Sequence, residues 1–404
     1  MPEAVETKKK KLAIIDGKSV FYRGYYAMPN LSTKEGTPTG GVFGFASMAL
    51  EVIRRLKPDY VCVAWDKPKT NIRKRLELYP AYKAGRKPAP PDFYEQIPML
   101  HDLLEAFGWP LYELDDYEAD DIMGTLAVQA AKKDIETMLV TSDMDMLQLV
   151  DPHIHVFALK TGLSNIELYS PKSFEAKYEI KPTQFLDLKS LKGDSSDNIP
   201  GVPGIGEKGA IALLKEFVTL DGVYDNLDLI KDSTRKKLEA GKDLAYLSKK
   251  LASIWTDAPI KLDLKEVDGS KCDPVRVRDT LQKLEFRSLV RQLPEVMQVP
   301  IEDGTTTPTS SADIKVGKNV LISSEADLLK IKLNKPDALI VHSRAAGKHG
   351  HDPRLLIISP SPDITYAIDL TKIKPGAVIQ SLGAVLTDEN VPKIGHDIKS
   401  TIKV

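Results

Sequence analysis

Three short apolar runs in this chain each close on an aspartate, and that repetition narrows the folds open to it. Leu12-Ala13-Ile14-Ile15 runs into Asp16-Gly17, Tyr60 to Trp65 runs into Asp66, and Thr137-Met138-Leu139-Val140 runs into Thr141-Ser142-Asp143-Met144-Asp145. Runs of this length without polar alternation read as buried strands. Helical periodicity lies between them: Gly40 to Leu56 is apolar at Val42, Phe45, Ala49, Val52, Ile53 and Leu56, and Ile122 to Ala131 is apolar almost throughout. Strands alternating with helices predict an α/β fold with a parallel, doubly wound sheet, whose ligands gather outside the carboxyl ends of the strands. Asp16, Asp66, Asp143 and Asp145 should therefore meet on one rim.

Tyr117-Glu118-Ala119-Asp120-Asp121 places three more carboxylates at the start of the helix from Ile122. Helix capping alone would explain an acidic start, because the dipole offsets part of one negative charge. Gly193-Asp194-Ser195-Ser196-Asp197-Asn198 adds two acids in what could be an ordinary polar turn. Taken together, Asp16, Asp66, Glu118, Asp120, Asp121, Asp143, Asp145, Asp194 and Asp197 are too many charges for one cleft unless cations lie among them. Oxygen donors without histidine or cysteine favour Mg²⁺ or Mn²⁺ over zinc. Two such ions suit in-line displacement at phosphorus, so the expected reaction is phosphodiester hydrolysis.

From Lys67 to Lys87 eight basic residues stand against one acid, Glu77, with Tyr79 and Tyr82 among them. Arg73, Lys74, Arg75, Lys83 and Arg86 offer phosphate contacts and the tyrosines offer faces for unstacked bases, a combination that suits single-stranded nucleic acid. A solvated basic loop is the plainer alternative. Gly201-Val202-Pro203-Gly204-Ile205-Gly206-Glu207-Lys208-Gly209 spells a dinucleotide fingerprint, but it follows polar Asp197-Asn198-Ile199-Pro200 rather than a strand. A glycine hairpin at a helix start, with Gly201, Gly204, Gly206 and Lys208, suits a duplex phosphate instead, gripped without sequence reading.

The chain has 404 residues, near-zero net charge and two cysteines, Cys62 and Cys272, so nucleic-acid binding must be local and neither a disulfide framework nor a zinc site is expected. Cys62 reads as core. The Lys-rich start leads into only four apolar residues, too few for a signal peptide or membrane span, which suggests a cytoplasmic protein. Leu220 to Gln298 reads as helical, with Leu281 to Phe286 packing on the preceding domain, and Pro300 to Ala312 reads as a linker. Beyond it, strands are expected at 338–341, 355–358 and 364–368, and helices at 325–333 and 377–386.

In motif order, Ile15-Asp16-Gly17, Trp65-Asp66, Tyr82-Lys83-Ala84-Gly85-Arg86, Glu118-Ala119-Asp120-Asp121, Ser142-Asp143-Met144-Asp145, and Gly193 to Asn198 running into Gly201 to Gly206, the chain resembles the 5' nuclease (flap endonuclease) domain found at the N-terminus of bacterial DNA polymerase I. The resemblance implies a PIN-like domain over 11–185 after a disordered 1–10, with a helical arch at 67–92. It implies a helix-three-turn-helix part over 186–298, often with K⁺ at the glycine hairpin. The family's metal-binding acids fall on the nine above, and Lys83 and Arg86 would contact the scissile phosphate. Gly209 stands where the family commonly has threonine. The expected partner is DNA with a 5' flap, nick or branched junction, with an RNA primer as a further flap substrate, bound by a monomer in primer removal, replication and repair.

Residues 314–404, after a linker at 299–313, are more weakly similar to the RNase H-like 3' exonuclease of the same polymerases. Val341-His342-Ser343 stands where an Asp-x-Glu pair is usual, and His396-Asp397-Ile398-Lys399-Ser400-Thr401 lacks the usual later aspartate, so this part is expected to be inactive. No polymerase palm motif appears, and DNA synthesis by this chain alone is not expected. Two other readings stay open at this stage. A non-catalytic junction-binding module would need a gap in the acidic set, and a small-molecule phosphohydrolase would leave the basic segment and glycine hairpin without a role.

Overall fold

Lys11–Asp16 forms the first strand, β1, at the centre of a six-stranded sheet with the order β3-β2-β1-β4-β5-β6. The others are β2 (Tyr60–Ala64), β3 (Leu111–Tyr112), β4 (Glu136–Thr141), β5 (Ile154–Leu159) and β6 (Ile166–Tyr169). β1 to β5 are parallel, and β6 returns antiparallel to β5. The structure is a computed structural model that describes residues 9–160, 165–297, 318–331, 333, 338–345, 353–361 and 363–395.

Period-two alternation sends successive side chains of β1 to opposite layers. Leu12 and Ile14 pack with Ile122, Leu126 and Leu139 on one face, while Ala13 and Ile15 pack with Val42, Phe45, Val52 and Val140 on the other. Both faces are buried, which is why the strands read as unbroken apolar runs. The helices that cover them include α1 (Gly17–Ala27), α2 (Gly40–Leu56), α4 (Pro91–Glu95), α5 (Ile97–Phe107) and α6 (Ala119–Ala131), whereas α3 (Arg73–Leu78) packs through Leu76 on a separate cluster with Tyr82, Ile199 and Leu251. α1 and α2 touch at Gly24 and Gly44, where a Cβ on Gly24 would lie 2.7 Å from the Gly44 Cα. Cys62 is fully buried in the first layer, as expected of a core residue.

A helical part follows: α7 (Pro171–Tyr178), α8 (Phe185–Lys192), α9 (Glu207–Phe217), α10 (Leu220–Asp225), α11 (Asp232–Ala240), α12 (Lys242–Ala252) and α13 (Pro274–Lys283). The glycine segment lies between α8 and α9. Leu281, Leu284 and Phe286 pack into the second layer with α2 and α5, so the chain returns to the sheet after the helical excursion.

Contacts divide the chain into two compact units, Met1–Glu302 and Asp303–Val404. The second holds a sheet of order β11-β8-β9-β10-β7, built from β7 (Lys318–Ile322), β8 (Leu339–Ala345), β9 (Pro353–Ser361), β10 (Ile364–Asp369) and β11 (Lys393–Ile394). The helix Pro375–Leu386 packs through Val378 and Leu382 on a core with Leu339, Val341, Ile358 and Ile368. Val341 faces that core, while His342 and Ser343 are half-buried. The expected linker at 299–313 and the motif His396–Thr401 lie outside the described residues.

Candidate active site

Order reverses at β1, since β2 lies on one side of it and β4 on the other, and a crevice opens at such a point beyond the strand ends. Asp16 is the last residue of β1 and caps α1, accepting from Ser19 N at 3.0 Å and from Thr141 Oγ1 at 2.8 Å. Asp66, just beyond β2, accepts from Asn71 Nδ2 at 3.0 Å and from Ala119 N at 2.9 Å, which fastens it to the start of α6. Asp143 follows β4 and accepts from Asp145 N at 2.8 Å. These three line a cleft of about 1060 Å³ together with Glu118, Asp120, Lys18, Tyr22, Lys83 and Arg86.

Five acids and five bases line the cleft, yet burial and neighbouring acids disfavour the ionised form of two of its carboxylates. Burial pushes the Asp16 carboxyl up to about 7 against its two hydrogen bonds, and the charges of Asp66 and Asp143 add to the rise. Burial, with Asp143 and Asp16 nearby, pushes Asp120 well above the usual carboxylate range. Asp66 goes the other way: burial would raise it, but Lys18, 3.5 Å away, and Lys83 hold it down. Among the described residues no three acidic, histidine or cysteine side chains stand close enough to grip an ion as they are. The acids thus line the floor without forming a closed ligand set.

Over this floor stands the basic segment. Lys83 takes a left-handed backbone conformation (φ 56°) and its N–H donates to the Asp197 carbonyl at 3.0 Å. Its ammonium is paired with Glu118 and lies 3.5 Å from Asp197 Oδ2, while Arg86 pairs with Asp197. Glu118 and Asp197 therefore seat the two cations. Glu118 holds the Lys83 ammonium charged despite its burial.

Other expected ligands are turned away from the cleft. Asp121 is fully buried, and Arg75 grips both its oxygens at 2.6 and 2.8 Å. Asp121 also accepts from Glu118 N at 2.9 Å and Trp255 N at 2.8 Å, closing a reciprocal cap on α6. It is a structural carboxylate, which corrects its place among the metal-binding acids. Asp145 and Asp194 share Lys189 on α8. Burial and Asp143 push Asp145 up to about 7 even so, while Lys189 and Ser196 hold Asp194 down at about 2 against burial.

Among the expected nucleic-acid contacts, Arg75 and Tyr82 are corrected in the same way. Arg75 is 3% exposed and stacks 4.1 Å over Trp255, and the Tyr82 hydroxyl donates to Glu118 at 2.8 Å from a buried ring. Tyr79 packs half-buried against the cluster of Tyr82, Ile199 and Leu251. Arg73 is exposed beside Asp116, and Lys74 lies over the Tyr117 ring. Aromatic surface at the cleft comes instead from residues that the sequence reading passed over. Tyr22 and Tyr26 stack with ring centres 6.0 Å apart, and Tyr94 is half exposed beside the same cleft. Lys18, Tyr22 and Tyr26 recur every four residues on α1, a stripe that helical spacing could have revealed.

Gly193, Gly201 and Gly204 all have positive φ, and a Cβ on Gly201 would sit 2.3 Å from Gly193 N. Two chain passes therefore touch there. Gly206 precedes α9 without a side-chain cap, Lys208 is exposed on its first turn, and Lys237 donates to the Gly204 carbonyl at 3.1 Å.

An acidic floor at the switch point of a parallel sheet, roofed by two seated cations, defines an α/β domain equipped to handle a phosphate. Residues 11–179 match the 5'-3' exonuclease N-terminal resolvase-like domain, and 180–275 match the 5'-3' exonuclease C-terminal SAM fold. DNA polymerase I of Bacillus caldotenax is 39% identical over 85% of this chain and 39% of its own length. That of Chloroflexus aurantiacus is 33% identical over 97% of this chain and 45% of its own. The chain thus spans less than half the length of these relatives. A solved structure of T5 5'-exonuclease with bound zinc covers 72% of this chain and 99% of that one, with TM-score 0.52 and 19% identity. A second T5 structure, of the D15 protein with metal ions, has TM-score 0.50 at 20% identity over 72% of this chain and 99% of that one. The chain belongs to the 5'-3' exonuclease family.

Proposed function

We propose that the first unit is a structure-specific 5' nuclease that hydrolyses DNA phosphodiester bonds at 5' flaps and ends with divalent metal ions, in primer removal and repair. The observation that carries this reading is the cluster of cleft carboxylates, two of which burial and mutual repulsion push up. The Asp120 carboxylate accepts no protein hydrogen bond among the described residues, and Asp16 and Asp120 both stand above the ordinary carboxylate range. That charge fits hard cations, Mg²⁺ or Mn²⁺, held by Asp16, Asp66, Asp120 and Asp143. A bound ion would supply Lewis acidity toward phosphate oxygens and ease deprotonation of water.

Lys83 and Arg86 would place positive charge on the phosphate as negative charge builds there, already oriented by Glu118 and Asp197 and so needing little reorganisation. Tyr22, Tyr26 and Tyr94 would offer faces to unpaired bases at the cleft mouth, and Arg73 and Lys74 would add backbone contacts. Gly201, Gly204, Gly206 and Lys208 would hold the duplex by its phosphates, with K⁺ as a further ligand of the hairpin. Of the two T5 structures in the same fold, one carries divalent zinc and the other metal ions, which agrees with metal dependence.

A 5'-labelled flap duplex incubated with the full chain and Mg²⁺ should yield a short product cut near the junction, and none in EDTA. Intact substrate under both conditions would refute the reading and favour a module that binds junctions without cutting.

A further inference from the structure

Lys189 lies on α8, its side chain 7% exposed, with its ammonium 2.6 Å from Asp145 Oδ1 and in contact with Asp194 Oδ2. Asp194 Oδ1 is taken as well, accepting from Ser196 N at 2.8 Å and Ser196 Oγ at 2.7 Å. The family resemblance assigns both acids to metal ions. The donor set here does not fit one: an ion bridging Asp145 and Asp194 would lie against the buried ammonium group that already contacts both. Like charges at contact distance in a partly desolvated site repel strongly.

We infer that Lys189 is the cation of this second acidic pair, so that Asp145 and Asp194 bind a lysine in place of a divalent ion and metal binding is confined to the cleft of Asp16, Asp66, Asp120 and Asp143. The inference rests on the metal-dependent reading of that cleft. Its structural consequence is a clamp. Asp145 belongs to the 3-10 turn Met144–Leu149 that follows β4, and Asp194 opens the glycine hairpin, so the lysine ties the catalytic rim to the duplex-holding element without requiring metal. The hairpin should then keep its place when the cleft is stripped of ions.

Mn²⁺ titration of the full chain, with free ion read by its paramagnetic resonance signal, counts the bound ions. Wild type and Asp194→Asn should bind the same number. Lys189→Met, which keeps the length of the side chain and removes its charge, should bind one more, and Lys189→Met combined with Asp194→Asn should lose it again. Circular dichroism of each variant checks that it is folded. Loss of one ion on Asp194→Asn alone would overturn the inference, and so would an unchanged count in Lys189→Met. A wild type that binds no Mn²⁺ beside a Lys189→Met that binds one would support the lysine's role while sinking the metal reading of the cleft.

Discussion

Arg75 holds both carboxylate oxygens of Asp121, at 2.6 and 2.8 Å, and so fastens the foot of the basic segment to the first turn of the helix that carries Glu118 and Asp120. The guanidinium also donates to the carbonyls of Leu251 and Ser253 at the end of α12, bringing a third element to the same point. Truncating one partner of a buried pair leaves the other charge unsolvated, at a cost of about 3–5 kcal/mol. Arg75→Ala should therefore lower the unfolding free energy of the first unit by about that amount. A denaturant melt checks it, and a loss below about 1 kcal/mol would mean the pair does not hold the fold together.

The neighbouring aspartate should behave in the opposite way. Burial, Asp143 and Asp16 disfavour the ionised form of Asp120, so Asp120→Asn should raise the melting temperature in EDTA. Cleavage should fall by about 100-fold or more, since even an outer partner of a metal ligand is worth 10–100-fold. Flap binding in Ca²⁺ should remain. Unaltered cleavage would take Asp120 out of the site, and a lowered melting temperature would make it structural like Asp121.

The difference between these two residues marks where the sequence stopped being informative. Strand-end acids, the sheet they imply and α2 from Gly40 to Leu56 could all be read, because each is a local pattern of apolar spacing. Asp121 could not be told from Asp120, because a capping carboxylate and a cation-binding one look alike until the partner is known, and Arg75 lies 46 positions away. Lys189 escaped notice for the same reason, sitting in an unremarkable helix until folding sets it between two acids. α1 was missed because its buried residues, Val20, Phe21, Gly24 and Tyr25, form a narrow stripe broken by a glycine. β5 and β6 run into Lys160 and Ser170 and so lack the strand-end acid that marks β1, β2 and β4.

Acid should stabilise the metal-free cleft. The Asp16 carboxyl, raised to about 7 from 3.8, binds its proton in the folded state across a range where the unfolded chain has lost it. A group raised in this way favours folding at low pH, and its contribution fades as pH climbs from about 4 through 7, on the order of 1 kcal/mol per unit. In EDTA, stability should therefore decline between pH 5 and pH 8. Ca²⁺ should flatten the slope by replacing the proton with a cation. Denaturant melts at the two pH values test this, and an identical slope in Asp16→Asn would assign the effect to other groups.

The second unit should be silent toward 3' ends. Its β8 offers Val341, turned into the core, with His342 and Ser343 beside it, so the position carries no carboxylate for an ion. With the 5' activity removed by Asp120→Asn, the full chain should release no nucleotide from a 3'-labelled duplex in Mg²⁺ or Mn²⁺. Metal-dependent release would show a working 3' site outside the cleft.

Two glycines of the hairpin region should respond in opposite directions to a single methyl group. Gly201 has φ +62° and its Cβ would meet Gly193 N at 2.3 Å, backbone against backbone, so neither chain pass can yield without opening the hairpin. Gly201→Ala should cost several times the ~1 kcal/mol of an ordinary left-handed alanine, and should weaken duplex binding more than cleavage of the substrate that is bound. Gly209 lies inside α9, and its Cβ would meet only Ile205, at 4.0 Å. There the added methyl group removes backbone freedom from the unfolded chain without a clash, so Gly209→Ala should stabilise by about 0.5–1 kcal/mol and leave DNA affinity unchanged. Thermal melts and a salt-dependent binding titration on both variants separate the cases. Equal losses at the two positions would mean that the close contact between Gly193 and Gly201 does not shape the hairpin.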